Sequence, residues 1–144
     1  MSDFFQNGTI TTLHRLNKDH VNSMENELQT FAKQRPMGLV LPSLFSELKG
    51  PALKPIIDQI AQVSYLDEVI IGLDNANADE FAYAKDFFSV LPQQHRVLWN
   101  DGPRMRQLNV QLIEKGIAPK DLGKGRNVWY CYGYAIASGR SEAI

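Results

Sequence analysis

Glu68-Val69-Ile70-Ile71-Gly72-Leu73-Asp74 is the stretch on which the fold turns. Its β-branched run predicts a strand, and the strand ends in a carboxylate at its C-terminal edge. Just downstream, Asn77 and Glu80 have the spacing of a capping box with Asn in place of Ser or Thr. They open a helix that reaches Leu91, buries Phe81, Ala84, Phe88 and Leu91, and is stopped by Pro92. Arg96-Val97-Leu98-Trp99-Asn100 predicts the next strand, and Asn100-Asp101-Gly102-Pro103 a turn. A helix from Arg104 to Lys115 follows, ended by Gly116. A polar loop from Pro119 to Gly125 then leads into Asn127–Ser138, a helix almost without charge that carries Val128, Trp129, Cys131, Tyr132, Tyr134, Ala135 and Ile136. A helix apolar all round is expected to be buried.

Upstream of the same stretch, Pro51 opens a helix with Leu53, Ile56, Ile57, Ile60 and Val63 as its apolar stripe, and Pro55 falls in its tolerant first turn. Before it, Gly38-Leu39-Val40-Leu41-Pro42 is a short apolar run closed by proline, the pattern of a strand buried on both faces. Arg35-Pro36 ends a helix that Asp19 would cap, with Val21, Met24, Leu28 and Phe31 on one face. Met1 to about Lys18 is a polar arm with one extended piece at Thr9–Leu13. Strands and helices therefore alternate. That order predicts an α/β fold: a Rossmann-like parallel sheet with right-handed crossovers and helices on both faces. Glu142-Ala143-Ile144 stands where a further strand would begin, so the sheet is expected to be incomplete. The expected division is 1–37, arm and helix, and 38–144, the α/β domain.

The 144 residues are 44% hydrophobic and 22% charged, the composition of one globular domain. Fifteen basic and 16 acidic side chains leave a net charge of −1, without the basic excess of a nucleic-acid surface. Cys131 is the single cysteine, which rules out an intramolecular disulfide and favours a reducing compartment. His14, His20 and His95 lack metal-ligand spacing. The N-terminus lacks a signal-peptide pattern and no stretch is long enough to span a membrane, so the cytoplasm is the default expectation.

Ligands of open α/β sheets bind beyond the carboxyl ends of the strands. Three features collect there. Leu41-Pro42-Ser43-Leu44-Phe45-Ser46-Glu47 leaves a strand through proline, a turn that can shape a flat slot for a base, with Ser46 or Glu47 as polar contacts. Taken alone it reads better as a plain strand end. Asp74-Asn75 offers a carboxylate to a base or ribose, but taken alone it reads better as a self-bonded turn. Gly123-Lys124-Gly125-Arg126-Asn127 combines glycines that permit close approach, a cation, and a helix N-terminus that favours an anion by roughly 0.3–1 kcal/mol. It is neither a Walker A loop nor a dinucleotide fingerprint. Arg104, Arg106, Cys131, His95 and the Trp and Tyr side chains read better as surface or packing residues.

Taken together, Pro42-Ser43-Leu44-Phe45-Ser46-Glu47, Leu73-Asp74-Asn75-Ala76-Asn77-Ala78-Asp79, and Gly123-Lys124-Gly125 before a helix containing Trp129 resemble the nucleotide-binding N-terminal half of GT-A glycosyltransferases. The likeness is to family 2-type enzymes and to glucosyl-3-phosphoglycerate synthases, and runs from about Gly38 to the end. The resemblance implies that Pro42, Ser43 and Leu44 line the base, Asp74 contacts the nucleoside and Lys124 faces the diphosphate. Glu47 stands displaced by one position from the family's acidic residue, as the ribose contact. It implies hexose transfer from a nucleoside diphosphate sugar, UDP-glucose first, to an acceptor such as 3-phosphoglycerate. It also implies a Mg or Mn ion held by an Asp-x-Asp motif on the strand after the charge-poor helix, beyond Ile144, and hence no transferase activity in this chain alone. The edge of Gly38–Pro42, where that strand would pair, is expected to invite self-association. The alternatives are a non-catalytic nucleotide-binding or regulatory domain, and a protein-interaction module using that edge.

Overall fold

The structure, a computed structural model, describes residues 18–119 and 122–144. The extended piece expected at Thr9–Leu13, the Asp19 cap and part of the Pro119–Gly125 loop lie outside the described residues and side chains. In chain order the elements are α1 (Lys18–Ala32), β1 (Met37–Leu44), α2 (Phe45–Leu48), α3 (Leu53–Ile60), β2 (Leu66–Asp74), α4 (Ala78–Phe88), β3 (Gln94–Trp99), α5 (Pro103–Glu114) and α6 (Lys124–Ser138). The strands form one parallel sheet in the order β1-β2-β3.

β2, the stretch that decides the fold, is the central strand. Successive side chains of a strand point to opposite faces. Val69, Ile71 and Leu73 accordingly enter one layer with Phe45, Leu48, Leu53, Ile57, Ala84, Phe88 and Leu91, from and around α2, α3 and α4. Ile70 points the other way, into a layer with Cys131 and Ala135 of α6. Helices thus cover both faces of a Rossmann-like α/β sheet, as the alternation of elements predicts. Glu68 shares the Ile70 face near the N-terminal end of the sheet, where it is buried. Burial pushes its carboxyl above the usual carboxylate range, and Arg140 pulls it partly back.

Several boundaries differ from the sequence expectation. The segment after β1 is a short helix, α2, rather than a bare turn. α3 begins at Leu53, two residues after Pro51. α4 ends at Phe88, where Ser89 bonds back to the Asp86 carbonyl through both its N–H and its hydroxyl, and Leu91 enters the core from beyond the helix. β3 begins at Gln94 and includes His95. α6 begins at Lys124 rather than Asn127, because the Asn127 N–H already bonds the Gly123 carbonyl at 3.1 Å.

The expected burial of the charge-poor helix holds on one face only. Asn127, Tyr130, Cys131 and Ala135 are buried, whereas Trp129, Tyr132 and Ile136 are exposed, Ile136 to 80%. The sheet offers one surface to α6, and the remaining stripe meets no other described element.

The outer edge of β1 is partly closed. The Gly38 N–H donates to the Ala143 carbonyl, and the Glu142 and Ala143 N–H groups donate to the Pro36 carbonyl, making a parallel bridge between Met37 and Ala143. Backbone groups alternate along a strand, so positions 40, 42 and 44 face the same way as Gly38. Leu44 N–H is taken by the Glu47 side chain, and Pro42 has no N–H. Among the described residues, Val40 is left as the outward N–H of that edge.

Candidate functional site

The C-terminal ends of β1 and β2 lie side by side, with Leu44 in register with Asp74. The first turn of α6 comes over them from the Ile70 face. Between these parts lies a cavity of about 280 Å3, lined by Pro42, Ser43, Leu44, Glu47, Asp74, Gly123, Lys124 and Asn127. Pro42, Ser43, Leu44, Glu47, Asp74 and Lys124 therefore border one cavity, although the three motifs are far apart in the chain; Ser46, the other polar contact considered for the first motif, does not line it.

The first wall is the exit of β1. Ser43 is buried, and its Oγ donates to Glu47 Oε2 at 2.9 Å. The Leu44 N–H donates to the same oxygen, also at 2.9 Å. Glu47 thus secures the first turn of α2 through one oxygen, in the manner of half a capping box. Its own side chain stays exposed beside the cavity. One carboxylate thus both holds the turn and borders the cavity.

Asp74 forms the floor, 5% exposed. Its Oδ1 accepts from Asn100 Nδ2 at 2.8 Å and faces Arg126 Nη2 at 3.6 Å. Asn75 follows with φ 57°, a left-handed conformation that Asn tolerates better than most residues, and turns the chain away from the strand end. The exits of β2 and β3 are clasped to each other. The Ala76 N–H donates to Asp101 Oδ2 at 3.2 Å, and Trp99 Nε1 donates to the Ala76 carbonyl at 2.7 Å. Trp99 also stacks on Phe81, with ring centroids 4.8 Å apart, so it packs rather than offering a free stacking face.

Lys124 is the first residue of α6, not a loop residue, and is exposed at the rim. Gly123 precedes it with φ 134° and ψ −167°, a conformation that side-chain-bearing residues rarely adopt. This glycine lets the chain turn from the cavity rim directly into the helix. A lysine on the first turn adds a full charge to the positive end of the helix dipole.

Asn127 holds α6 to the sheet. Its Nδ2 donates to the Gly72 carbonyl at 2.9 Å, and the Cys131 thiol lies 3.6 Å from its Oδ1. A Cβ on Gly72 would stand 1.7 Å from that Oδ1 and 2.7 Å from Cys131 Sγ. Burial pushes the Cys131 thiol up to about 12, and Asp74 adds to the rise. The thiol is a packing group with no thiolate to offer.

Gly72, Asn100, Arg126 and Asn127 were given no role of their own from the sequence, although Arg126 and Asn127 stand in the Gly123–Asn127 stretch. Two of them did leave a signal: a glycine inside a β-branched run marks close backbone approach, and Asn127 is a polar residue in a charge-poor helix. Asn100 and Arg126 gave none, because each acts on Asp74 across the fold. Arg104 borders a separate hollow of about 550 Å3 beside β3, with Arg96, Trp99 and Tyr134.

The cavity combines a proline-shaped wall, a buried acceptor and a cation at a helix N-terminus. Such a set can receive a planar ring bearing an N–H at one end and an anion at the other. It does not by itself fit a metal. Among the described residues, no group of three or more His, Cys, Asp or Glu side chains converges. Both cavity carboxylates already hold protein donors. Among the described residues no helix is long and apolar enough to cross a membrane.

Two curated proteins align with the chain over essentially all its length. One, from Persephonella marina, is 41% identical over 144 residues, which is 100% of this chain and 36% of its own; it is named glucosyl-3-phosphoglycerate synthase. The other, from Methanococcoides burtonii and of the same name, is 34% identical over 143 residues, 99% of this chain and 34% of its own. The chain spans about a third of the length of the curated relatives it matches. No protein-family model matches it, and no solved structure matches it significantly.

Proposed function

We propose, from the premise that this chain is related along its whole length to glucosyl-3-phosphoglycerate synthases, that it forms the sugar-nucleotide-binding part of a GT-A glycosyltransferase. The whole enzyme transfers glucose from a nucleoside diphosphate sugar, UDP-glucose first, to 3-phosphoglycerate. In this reading residues 38–144 are the donor-binding domain and residues 1–37 an N-terminal arm and helix. Pro42, Ser43 and Leu44 line the base, Asp74 accepts from the nucleoside, Glu47 reaches the ribose, and Lys124 faces the diphosphate. Mg or Mn, which would neutralise charge on the diphosphate, is held by residues outside this chain. The working compartment is the cytoplasm. The observation that carries the proposal is the meeting of Pro42, Ser43, Leu44, Glu47, Asp74 and Lys124 around one cavity at the strand ends.

Two further consequences belong to this reading. The 144-residue chain alone has no sugar-transfer activity, and measurable transfer by a clean preparation with Mg or Mn would refute that part. The open stretch of the β1 edge also supports weak self-association.

Calorimetric titration with UDP, GDP and ADP in the presence of Mn tests the site. One diphosphate is expected to bind selectively, and Lys124→Ala to weaken it roughly tenfold, the scale of one charge-assisted contact. Binding of no diphosphate, or unchanged affinity in the Lys124→Ala chain, would overturn the assignment.

A further inference from the structure

Asp74 lines the cavity, but the groups that hold it do not. Asn100 comes from the turn after β3 and is 6% exposed; Arg126 comes from the first turn of α6, its side chain 17% exposed. Neither borders the cavity. Both approach the same carboxylate oxygen, Oδ1, Asn100 at 2.8 Å and Arg126 at 3.6 Å. A buried carboxylate must be paired, and one donor would meet much of that demand. A hydrogen-bond donor and a guanidinium from different elements beside one oxygen do more: together they set the rotation of the carboxylate about its own axis. Oδ2 is then left as the acceptor available to a ligand.

We propose that Asn100 and Arg126 are positioning residues for nucleoside recognition, which lock Asp74 so that Oδ2 presents a single acceptor to a ring N–H. The inference rests on the reading of the cavity as a nucleotide site. It sets a base preference by elementary chemistry. Uracil carries N3–H at its pairing edge and can donate to Oδ2. Cytosine, of the same size, carries a bare N3 lone pair at that position and meets the carboxylate acceptor to acceptor. Lys124 treats the diphosphates of both alike. Discrimination between UDP and CDP therefore reports the Asp74 carboxylate and not the charge at the rim.

The test is a titration of the isotope-labelled 144-residue chain with UDP and with CDP, followed by amide NMR, which also shows whether each variant keeps the native fold. The parent chain is expected to prefer UDP by roughly tenfold, the worth of one hydrogen bond to a charged acceptor against its loss. In Arg126→Ala and in Asn100→Ala that preference collapses to about twofold or less, through loss of UDP affinity and with CDP affinity little changed. Arg126→Lys, which keeps the charge, retains most of the preference. Where an alanine variant loses the native spectrum, Asn100→Ser and Arg126→Gln make the same comparison. Equal weakening of UDP and CDP would assign these residues a general structural or charge role and overturn the inference. So would full retention of the preference, or equal binding of both nucleotides by the parent chain; each leaves the nucleotide site itself standing. A parent chain that binds neither removes the nucleotide reading and this inference with it.

Discussion

Gly72 and Asn127 form the closest approach between strand and helix in the site. Gly72 lies in a run otherwise rich in β-branched residues, and the space a side chain would fill is taken by Asn127 Oδ1 and Cys131 Sγ. Both neighbours are buried, so neither can swing aside cheaply. Gly72→Ala should therefore cost at least about 3 kcal/mol, from overpacking and from the broken Asn127 bond. Urea denaturation of the purified chain measures it, and a loss under about 1 kcal/mol would mean that α6 is held less tightly than its contacts indicate. At this scale the sequence made Asp74 and Lys124 visible, because a carboxylate at a strand end and a lysine between glycines are local patterns. Asn100 and Arg126 escaped notice, since their meaning comes only from an oxygen that each meets across the fold.

Element boundaries were legible where a local cap marks them. The Asn77 side chain accepts from the Glu80 N–H, and the Glu80 side chain accepts from the Asn77 N–H, both at 2.9 Å, as the Asn-x-x-Glu spacing predicts. Asn77→Ala should destabilise the chain by about 1 kcal/mol through the lost cap. The same urea titration checks this, and no shift in midpoint would indicate that packing of Phe88 and Ala84 alone holds α4. The stop was harder to place. Pro92 points to an ending, but α4 closes at Phe88, where Ser89 satisfies the last turn. The N-terminus of α6 was expected at Asn127 and lies at Lys124, because Gly123 allows the abrupt turn that starts the helix earlier. Three residues matter here, since they move Lys124 from a loop to the positive end of a helix.

For the whole molecule, the open question is what the outer edge of β1 does. Ala143 takes the Gly38 N–H, Glu47 takes that of Leu44, and Pro42 has none. Proline and capped groups blunt an edge against further pairing. Self-association through this edge should consequently be weak, with dimer appearing only at roughly 100 µM and above, the range of small transient contacts. Light scattering over a wide concentration series reads this directly. A clean monomer at millimolar concentration would exclude the edge as a contact, and a tight dimer at micromolar concentration would point instead to the exposed Trp129, Tyr132 and Ile136 face of α6.

By itself the sequence determined the α/β class, the parallel order of elements and the residues at the strand ends. Those follow from local periodicity: β-branched runs, caps, and prolines that act within a few residues. It also carried the family resemblance, through motifs whose order and spacing are linear. Only the tertiary structure decided that α6 buries one face and leaves the other bare, that Gly72 admits Asn127, and that Asp74 is held from two sides. Those depend on which surfaces meet after the chain has crossed over the sheet, and a side chain 26 residues away, as Asn100 is from Asp74, leaves no periodic trace in the sequence it completes.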